Sequence, residues 1–502
     1  MLQKGKIFAI INLENEFMHL HFWHIVSVSI LFFNQQTIGQ SRKLILENIN
    51  VVDVENGNIL RTRTVEIDSG IITAIKKQPR KNYPPNTLVV TANDKYLIPG
   101  LWDMHVHITQ GPWNDPTKTF ALMIANGITG IREMGGYIRT LSQWRSQISK
   151  GSLLGPRIMA AGPILYGSKT ADLTHIGVPS PEKARQIVDS LREIGIDLVK
   201  VYNFIPRETY YAIADEAKKL NIPLAGHVPL SVSLAEASDA GQNSIEHLNF
   251  PFFVQECARE FMRWRKKDID REYQLTRPFD PASTPAWIEQ IHDFDSALLQ
   301  YEQKRADTIY NHFLKNHTWQ CPTLIFIKMS VNRRDSTLIT DSLMKYAYSS
   351  FTRKQWDYKN APISAAMNDE EWNILKRLYS KNLQIVNDMK KRGIAFLAGT
   401  DLINAFIYPG FSLHEELELF VQAGFTPMEA LQTATINPAR FFGLEDSLGT
   451  IMTGKYADLV ILNANPLIDI SNTRRIEGIV VVGKYYNRNQ LDRLLESVMV
   501  KK

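Results

Sequence analysis

From Lys43 to about Ile75, apolar and polar residues alternate in short runs broken by turn formers. The chain therefore reads there as strands, KLILENINVVDV, TRTVEID and IITAIKK, with turns at Glu55-Asn56-Gly57-Asn58 and Asp68-Ser69-Gly70. The same texture returns near the other end, in ADLVILN (Ala457 to Asn463) and GIVVVGKYY (Gly478 to Tyr486), punctuated by Asn465-Pro466. Neither end carries enough strands for a good sandwich alone, so the two are expected to pair into one small domain.

Between the ends, apolar strand-like runs alternate with amphipathic stretches, the signature of parallel βα units. Eight runs qualify: GLWDMHVHI, GITGIREM, PRIMAAG, IDLVKVY, IPLAGHV, SIEHL, WQCPTLIF and IAFLAGTD. Eight is the strand number of a βα barrel. Helices fit between them, clearly at Pro181 to Ile194 and Arg207 to Leu220. Two stretches, near residues 250–317 and 330–381, are too long for simple crossovers and carry helical patterning. Each follows a barrel strand and is expected over the C-terminal mouth, where substrate would bind. The basic run Arg263-Trp264-Arg265-Lys266-Lys267 in the first reads as a solvated helix face.

Composition narrows the class. The 502 residues are 44% hydrophobic, 22% charged and 10% aromatic, which excludes collagen, coiled coil and disorder. A formal charge of +5, with no dense basic tract interleaved with aromatics, argues against nucleic acid as a partner. Cys257 and Cys321 cannot build a disulfide framework or a cysteine-rich zinc site; they read as buried apolar residues, with one bridge between them left open. Near the N-terminus, Ile25 to Phe33 (IVSVSILFF) is an uncharged apolar run, followed by small residues at Thr37 and Gly39. Residues 1–39 therefore read as a cleavable signal peptide, with the start at Met18 and cleavage before Gln40. The run is too short to span a bilayer in the usual way, so the mature chain is expected to be periplasmic or secreted, without a stable membrane span.

The strand ends carry the chemistry. In WDMHVH, His105 and His107 are two apart on a strand, so both imidazoles point the same way, into the barrel. An HxH pair is weak alone, but Lys200, His227, His247 and Asp401 fall at the C-terminal ends of four other runs. In a barrel all six converge on one rim. Five of them are the N/O ligand types of a zinc site. Lys200 is the exception, because an ammonium has no lone pair. Burial beside metal ions disfavours that charge and frees the amine to capture carbon dioxide as a carbamate, whose two oxygens can bridge two ions.

In that order, WDMHVH, LVKVY, AGHV, IEHL and AGTD resemble the amidohydrolase superfamily. The runs PGFSLHEELELFVQAGFTPMEALQTATINPARFFGL and LGTIMTGKYADLVILNANPL look like its imidazolonepropionase-like and prolidase-like branch. The resemblance spans about Leu44 to Tyr486 and is weakest in the two insertions. It implies an α/β fold: a distorted TIM (β/α)8 barrel over residues 99–447, with a small β-sandwich built from 40–98 and 448–502. It also implies one ion on His105, His107 and Asp401, a second on His227 and His247, and carboxylated Lys200 bridging them. Members with this lysine typically hold two divalent ions, usually zinc, and attack with a metal-bridging hydroxide. Asp401 is then the catalytic base and proton carrier.

Tyr202, two residues after the bridging lysine, is expected to face the cavity and bind substrate. His414, in SLHEEL, is expected to line the mouth and bind substrate, with capping of a helix as the alternative, and the same choice stands for His175. Arg132 and Glu133 are expected as outer partners of the ligands, and His292, His312 and His317 as non-ligands. The leading reading is a binuclear hydrolase of amide bonds acting on a dipeptide or N-acyl amino acid. An esterase or lactonase with the same centre, a mononuclear cyclic-amide hydrolase or deaminase, and a non-catalytic scaffold are the alternatives. Lys200 speaks against the mononuclear reading and the filled ligand positions against the scaffold. A homo-oligomer is compatible with the sequence.

Overall fold

The computed structural model of the chain describes residues 43–79, 82–167, 174–274, 284–347 and 350–500, so the expected leader lies outside the described residues. The alternating N-terminal runs become β1 (Leu44–Val52), β2 (Ile59–Asp68) and β3 (Ile71–Lys76), followed by β4 (Leu88–Thr91) and β5 (Tyr96–Pro99). The turn after β1 is tied by Asp53, whose Oδ1 accepts from the backbone N–H groups of Glu55 and Asn56 at 3.0 and 3.2 Å. The C-terminal runs supply three more strands, given below.

The middle of the chain forms β6 (Leu101–Val106), β7 (Ile128–Glu133), β8 (Arg157–Ala160), β9 (Ile164–Tyr166), β10 (His175–Gly177), β11 (Val199–Val201), β12 (Leu224–Gly226), β13 (Ser244–Glu246) and β14 (Trp319–Cys321). The last three strands are β15 (Leu459–Leu462), β16 (Ile476–Val481) and β17 (Lys484–Asn487).

The two chain ends meet in one eight-stranded sheet of order β17-β16-β15-β5-β1-β2-β3, with β4 on β1. The joint is the antiparallel pair of β15 and β5, Leu459 opposite Pro99 and Leu462 opposite Tyr96. Its inner face buries Leu46, Ile49, Val65 and Leu97 from one end against Leu459, Ile461 and Val480 from the other. Each such side chain contributes about 1.5–3 kcal/mol on leaving water. Removing either end would expose the other's half of that cluster.

The middle strands are parallel throughout, in one sheet β6-β7-β8 and another β10-β9-β11-β12-β13-β14. Parallel bridges pair Gln320 with Phe396 and Val106 with Leu402, which sets residues 396–402 between β14 and β6. The backbone N–H of Asp197 donates to the Ala160 carbonyl at 2.9 Å, joining β8 to the residues just before β11. All eight runs read from the sequence lie on these segments. The short β9 and β10 were not legible, since three residues carry no period. This is an α/β protein, and its parallel strands are separated by amphipathic helices. Pro181–Glu193 is typical: Ser180 caps it by accepting from the Lys183 N–H, and Ala184, Ile187, Val188 and Leu191 form its buried stripe.

The insertions are helical as expected, with Phe261–Gln274, Thr284–Leu299 and Gln303–Lys315 between β13 and β14, and Asp369–Lys391 in the second. The charged residues of the basic run are largely paired, Lys267 with Glu289 and Asp293 at 2.8 Å and Arg263 with Glu260 at 3.0 Å, but the run is not one solvated face, because Trp264 within it is buried. Cys257 and Cys321 are both free and buried, so the bridge between them is not made. No helix among the described residues is long and apolar enough to cross a membrane.

Candidate metal centre

His105 and His107 stand at the end of β6, Lys200 lies within β11, and His227 and His247 follow β12 and β13 directly. Asp401 ends the segment that bridges to β6, its backbone N–H donating to the His105 carbonyl at 2.8 Å. The fold gathers all six. The Nε2 atoms of His105 and His107 each lie 3.5 Å from the same Asp401 oxygen, Oδ1, and His247 Nδ1 lies 3.9 Å from the other. The His105 and His247 rings are 4.6 Å apart between centroids, and those of His247 and His227 are 5.0 Å apart. Lys200 is 1% exposed, and its charge acts on all four imidazoles.

Two of these residues reach the centre through left-handed backbone. His247 has φ 58° and Asp401 φ 56°, conformations that side chains with a Cβ adopt rarely. At His247 the consequence is specific. Strand parity alone would turn Glu246 and His247 to opposite faces, and the left-handed run His247–Asn249 brings both to the same place.

Each imidazole is oriented from behind. His105 Nδ1 meets Glu246 Oε2 at 2.7 Å, His227 Nδ1 meets Asn203 Oδ1 at 3.1 Å, His247 Nδ1 meets Thr323 Oγ1 at 2.7 Å, and His107 Nδ1 meets the Gly135 carbonyl at 3.3 Å. Such contacts fix ring tautomer and direction. Glu246 is held in turn by Arg132, which donates to both its oxygens at 2.9 and 2.8 Å and to the Met104 carbonyl at 2.5 Å, and by the Ser244 hydroxyl. Arg132 thus takes the supporting place expected of it. Glu133 accepts from the Ile108 N–H at 2.7 Å and lies 3.9 Å from His107 Nδ1.

Sequence reasoning missed Glu246, Asn203 and Thr323. Parity points Glu246 away from the site, and an Asn or Thr in a connection carries no signal of its own.

The electrostatics are those of a buried cluster. Burial, and then the Lys200 charge, push His107 and His247 down to about 3, and the same causes hold His105 and His227 well below the usual imidazole range. All four are therefore neutral at neutral pH, each with a lone pair that could serve a metal ion. Burial raises the Asp401 carboxyl to about 7 against the pull of Lys200. Burial lowers the Lys200 amine to about 8, while Glu246 and Asp401 oppose it. Tyr202 is pushed by burial up to about 12, so its hydroxyl stays a donor.

A divalent ion fits this donor set. Among the described residues, His105 Nε2 is buried without a hydrogen-bond partner. His105, His247 and Asp401 also offer ligand atoms within 4.8 Å of one another. A second trio, His105, Glu246 and Cys321, is equally close. It is a poor site, because Glu246 is already occupied by Arg132 and burial raises the Cys321 thiol well above its usual range.

Tyr202 lies beside the cluster, 4.1 Å from the His227 ring between centroids. His175 stands edge-on to Tyr166 and Tyr202 at 5.3 and 6.0 Å. His414 does not join them, which corrects its expected place at the mouth. On the helix Phe411–Gln422 it is 1% exposed, and both ring nitrogens are spent, on Thr473 Oγ1 at 2.9 Å and the Asn126 carbonyl at 3.0 Å. His292 and His312 are held by Glu371 and Asp239 at 2.9 Å each, away from the centre as expected.

Comparison with known proteins adds the family context. A family model described as Amidohydrolase family matches residues 96–486. Ochratoxinase of Aspergillus niger is 23% identical over 460 residues, 86% of this chain and 83% of that one. Among solved structures, a putative prolidase from Bifidobacterium longum superposes with a TM-score of 0.64 at 21% identity, over 92% of this chain and all of that one. A bottromycin amidohydrolase gives 0.67 at 20% identity, over 91% and 90%. At these identities the superpositions speak for the fold.

Proposed function

The chain belongs to the amidohydrolase family and is a hydrolase, and from that premise we propose that it cleaves the amide bond of a dipeptide or N-acyl amino acid at a centre of two divalent ions. The observation that carries the reading is the convergence of four neutral imidazoles, one carboxylate and one buried lysine on a single point. His105, His107 and Asp401 would hold one ion, His227 and His247 the other, with Lys200 carboxylated between them. Zinc suits these ligands. When bound, the ions supply Lewis acidity that activates water and polarises the scissile carbonyl.

The chain's own residues do the rest. Asp401, whose buried carboxyl is easily protonated near neutral pH, takes the proton of the attacking water and passes it to the leaving amine. Tyr202 donates its hydroxyl to the substrate carbonyl or carboxylate. Glu246 and the Asn203 carbonyl oxygen accept from Nδ1 of two imidazoles and so favour one tautomer, and Thr323 holds the direction of a third.

On this reading the eight parallel segments close as a distorted (β/α)8 barrel over residues 99–447, supported by the bridges from 396 and 402 to β14 and β6. The two-ended sheet would supply its small β-sandwich companion by curling back on itself where β1 pairs with both β4 and β5. Residues 1–39 are an export signal that places the mature protein in the periplasm or outside the cell. The enzymatic test is hydrolysis of dipeptides and N-acyl amino acids before and after chelation. Turnover lost on chelation and restored by zinc supports the reading, and turnover indifferent to chelation overturns it.

A further inference from the structure

The turn after β11 bears strain. Phe204 has φ 66°, a left-handed conformation that costs a residue with a Cβ free energy. Gly167 is pressed against it so closely that a Cβ there would stand 2.3 Å from the Phe204 carbonyl oxygen. Strain kept at such a spot is a pointer to function, and here it places two side chains. Asn203 reaches His227 Nδ1 at 3.1 Å. Phe204 lays its ring 5.1 Å from that of Tyr166.

Tyr166 stacks on Tyr202 at 5.8 Å and 23°, and meets His175 edge-on at 5.3 Å and 90°. Tyr202 in turn lies 4.1 Å from His227. A continuous run of rings thus begins at a candidate ligand and crosses the C-terminal ends of β11 and β9 to the start of β10. Tyr166 is buried within it, whereas Tyr202, Phe204 and His175 each keep part of their surface open. Three of the four rings are thus mostly covered but keep an accessible part beside the centre. Offset and edge-to-face geometry is what another aromatic ring would extend.

We propose that this aromatic shelf is the side-chain subsite of the enzyme. It selects amides that carry an aromatic group next to the scissile bond, with Phe204 as the specificity-determining residue. The proposal rests on the amide-hydrolase reading above. Ring stacking beyond simple area burial corresponds to a preference of up to about tenfold over an aliphatic group.

The test compares kcat/KM for Phe-Ala, Ala-Phe, Leu-Ala and Ala-Leu on the zinc-loaded full chain and on its Phe204→Leu variant, which keeps apolar bulk and removes the ring. At least one aromatic dipeptide is expected to exceed its leucine counterpart by about tenfold, and the variant to bring that ratio down to about twofold. A merely structural role for Phe204 would lower all four rates together and leave the ratio alone, which overturns the proposal, as does a wild-type ratio near one. Should Phe204→Leu fail to fold, His175→Leu, on the other edge of Tyr166, decides by the same ratio. Should none of the four be cleaved, the dipeptide reading fails, and the shelf is judged separately by calorimetric titration with L-phenylalanine and L-leucine. Tighter phenylalanine binding, abolished in the variant, supports the shelf, and equal binding overturns it.

Discussion

Glu246 accepts a hydrogen bond from His105 Nδ1 across 2.7 Å, with both residues fully buried. Glu246 is paired with Arg132 through both oxygens, so toward His105 it acts as acceptor and the imidazole carries its proton on Nδ1. That leaves Nε2 as a bare lone pair facing Asp401. Glu246→Gln keeps an acceptor for His105 but strands the Arg132 charge. Breaking such a buried pair costs about 3–5 kcal/mol, and losing the partner behind a ligating imidazole typically costs about 10–100-fold in metal affinity. Chelator competition and denaturant unfolding on the variant should show both losses. Unchanged metal affinity would remove Glu246 from the positioning role.

How far the sequence foretold this arrangement depends on which physical signal each residue leaves. The His105 and His107 pair follows from strand parity, and the ends of the parallel runs brought Lys200, His227, His247 and Asp401 into view. Glu246 stayed hidden because the left-handed turn that puts it beside His247 leaves no trace in composition. The substrate-binding reading of His414 failed because a histidine flanked by Leu413 and Leu417 on a helix looks the same whether it faces a mouth or an interior carbonyl. β9 and β10 were missed for their length, although they carry Tyr166 and His175.

Asp401→Asn separates holding metal from moving protons. The amide oxygen can still ligate, while no carboxylate remains to accept the proton, so kcat should fall by about 10²–10⁴-fold with most metal retained. Metal analysis beside steady-state kinetics reads the two apart, and retained turnover would take Asp401 out of the base role.

His414 and Tyr202 should behave oppositely. His414→Ala leaves the Asn126 carbonyl and Thr473 hydroxyl without their ring partner, at about 1–3 kcal/mol for a buried group left unsatisfied, with KM unchanged. Tyr202→Phe should leave the melting temperature in place and lower kcat/KM by about tenfold, the worth of one hydrogen bond of about 1.4 kcal/mol. A raised KM in the first, or full activity in the second, would reverse these assignments.

The metal-free protein should lose stability between about pH 6.5 and 8. Burial pushes Glu133, Glu256 and Glu416 up to about 8, whereas in the unfolded chain they lose their protons near the ordinary carboxyl value of about 4.3. In that window the native state binds more protons than the unfolded one, so stability falls as pH rises, by up to about 1.4 kcal/mol per unit per group. The buried histidines, protonated in the unfolded chain up to about pH 6.5, oppose this at the lower edge of the window, and Lys200, lowered to about 8, opposes it at the upper edge; the three carboxyls outweigh both. Melting temperatures measured across it should decline, and less steeply in Glu256→Gln. A flat or rising profile would contradict the burial argument.

The central claim is a two-ion centre bridged through Lys200, and metal content per chain tests it most directly. Full-length protein produced with zinc and bicarbonate available should carry about two zinc ions per chain, and Lys200→Ala markedly fewer unless a short carboxylate is supplied to replace the bridge. One ion per chain in the wild type, indifferent to Lys200, would contradict it.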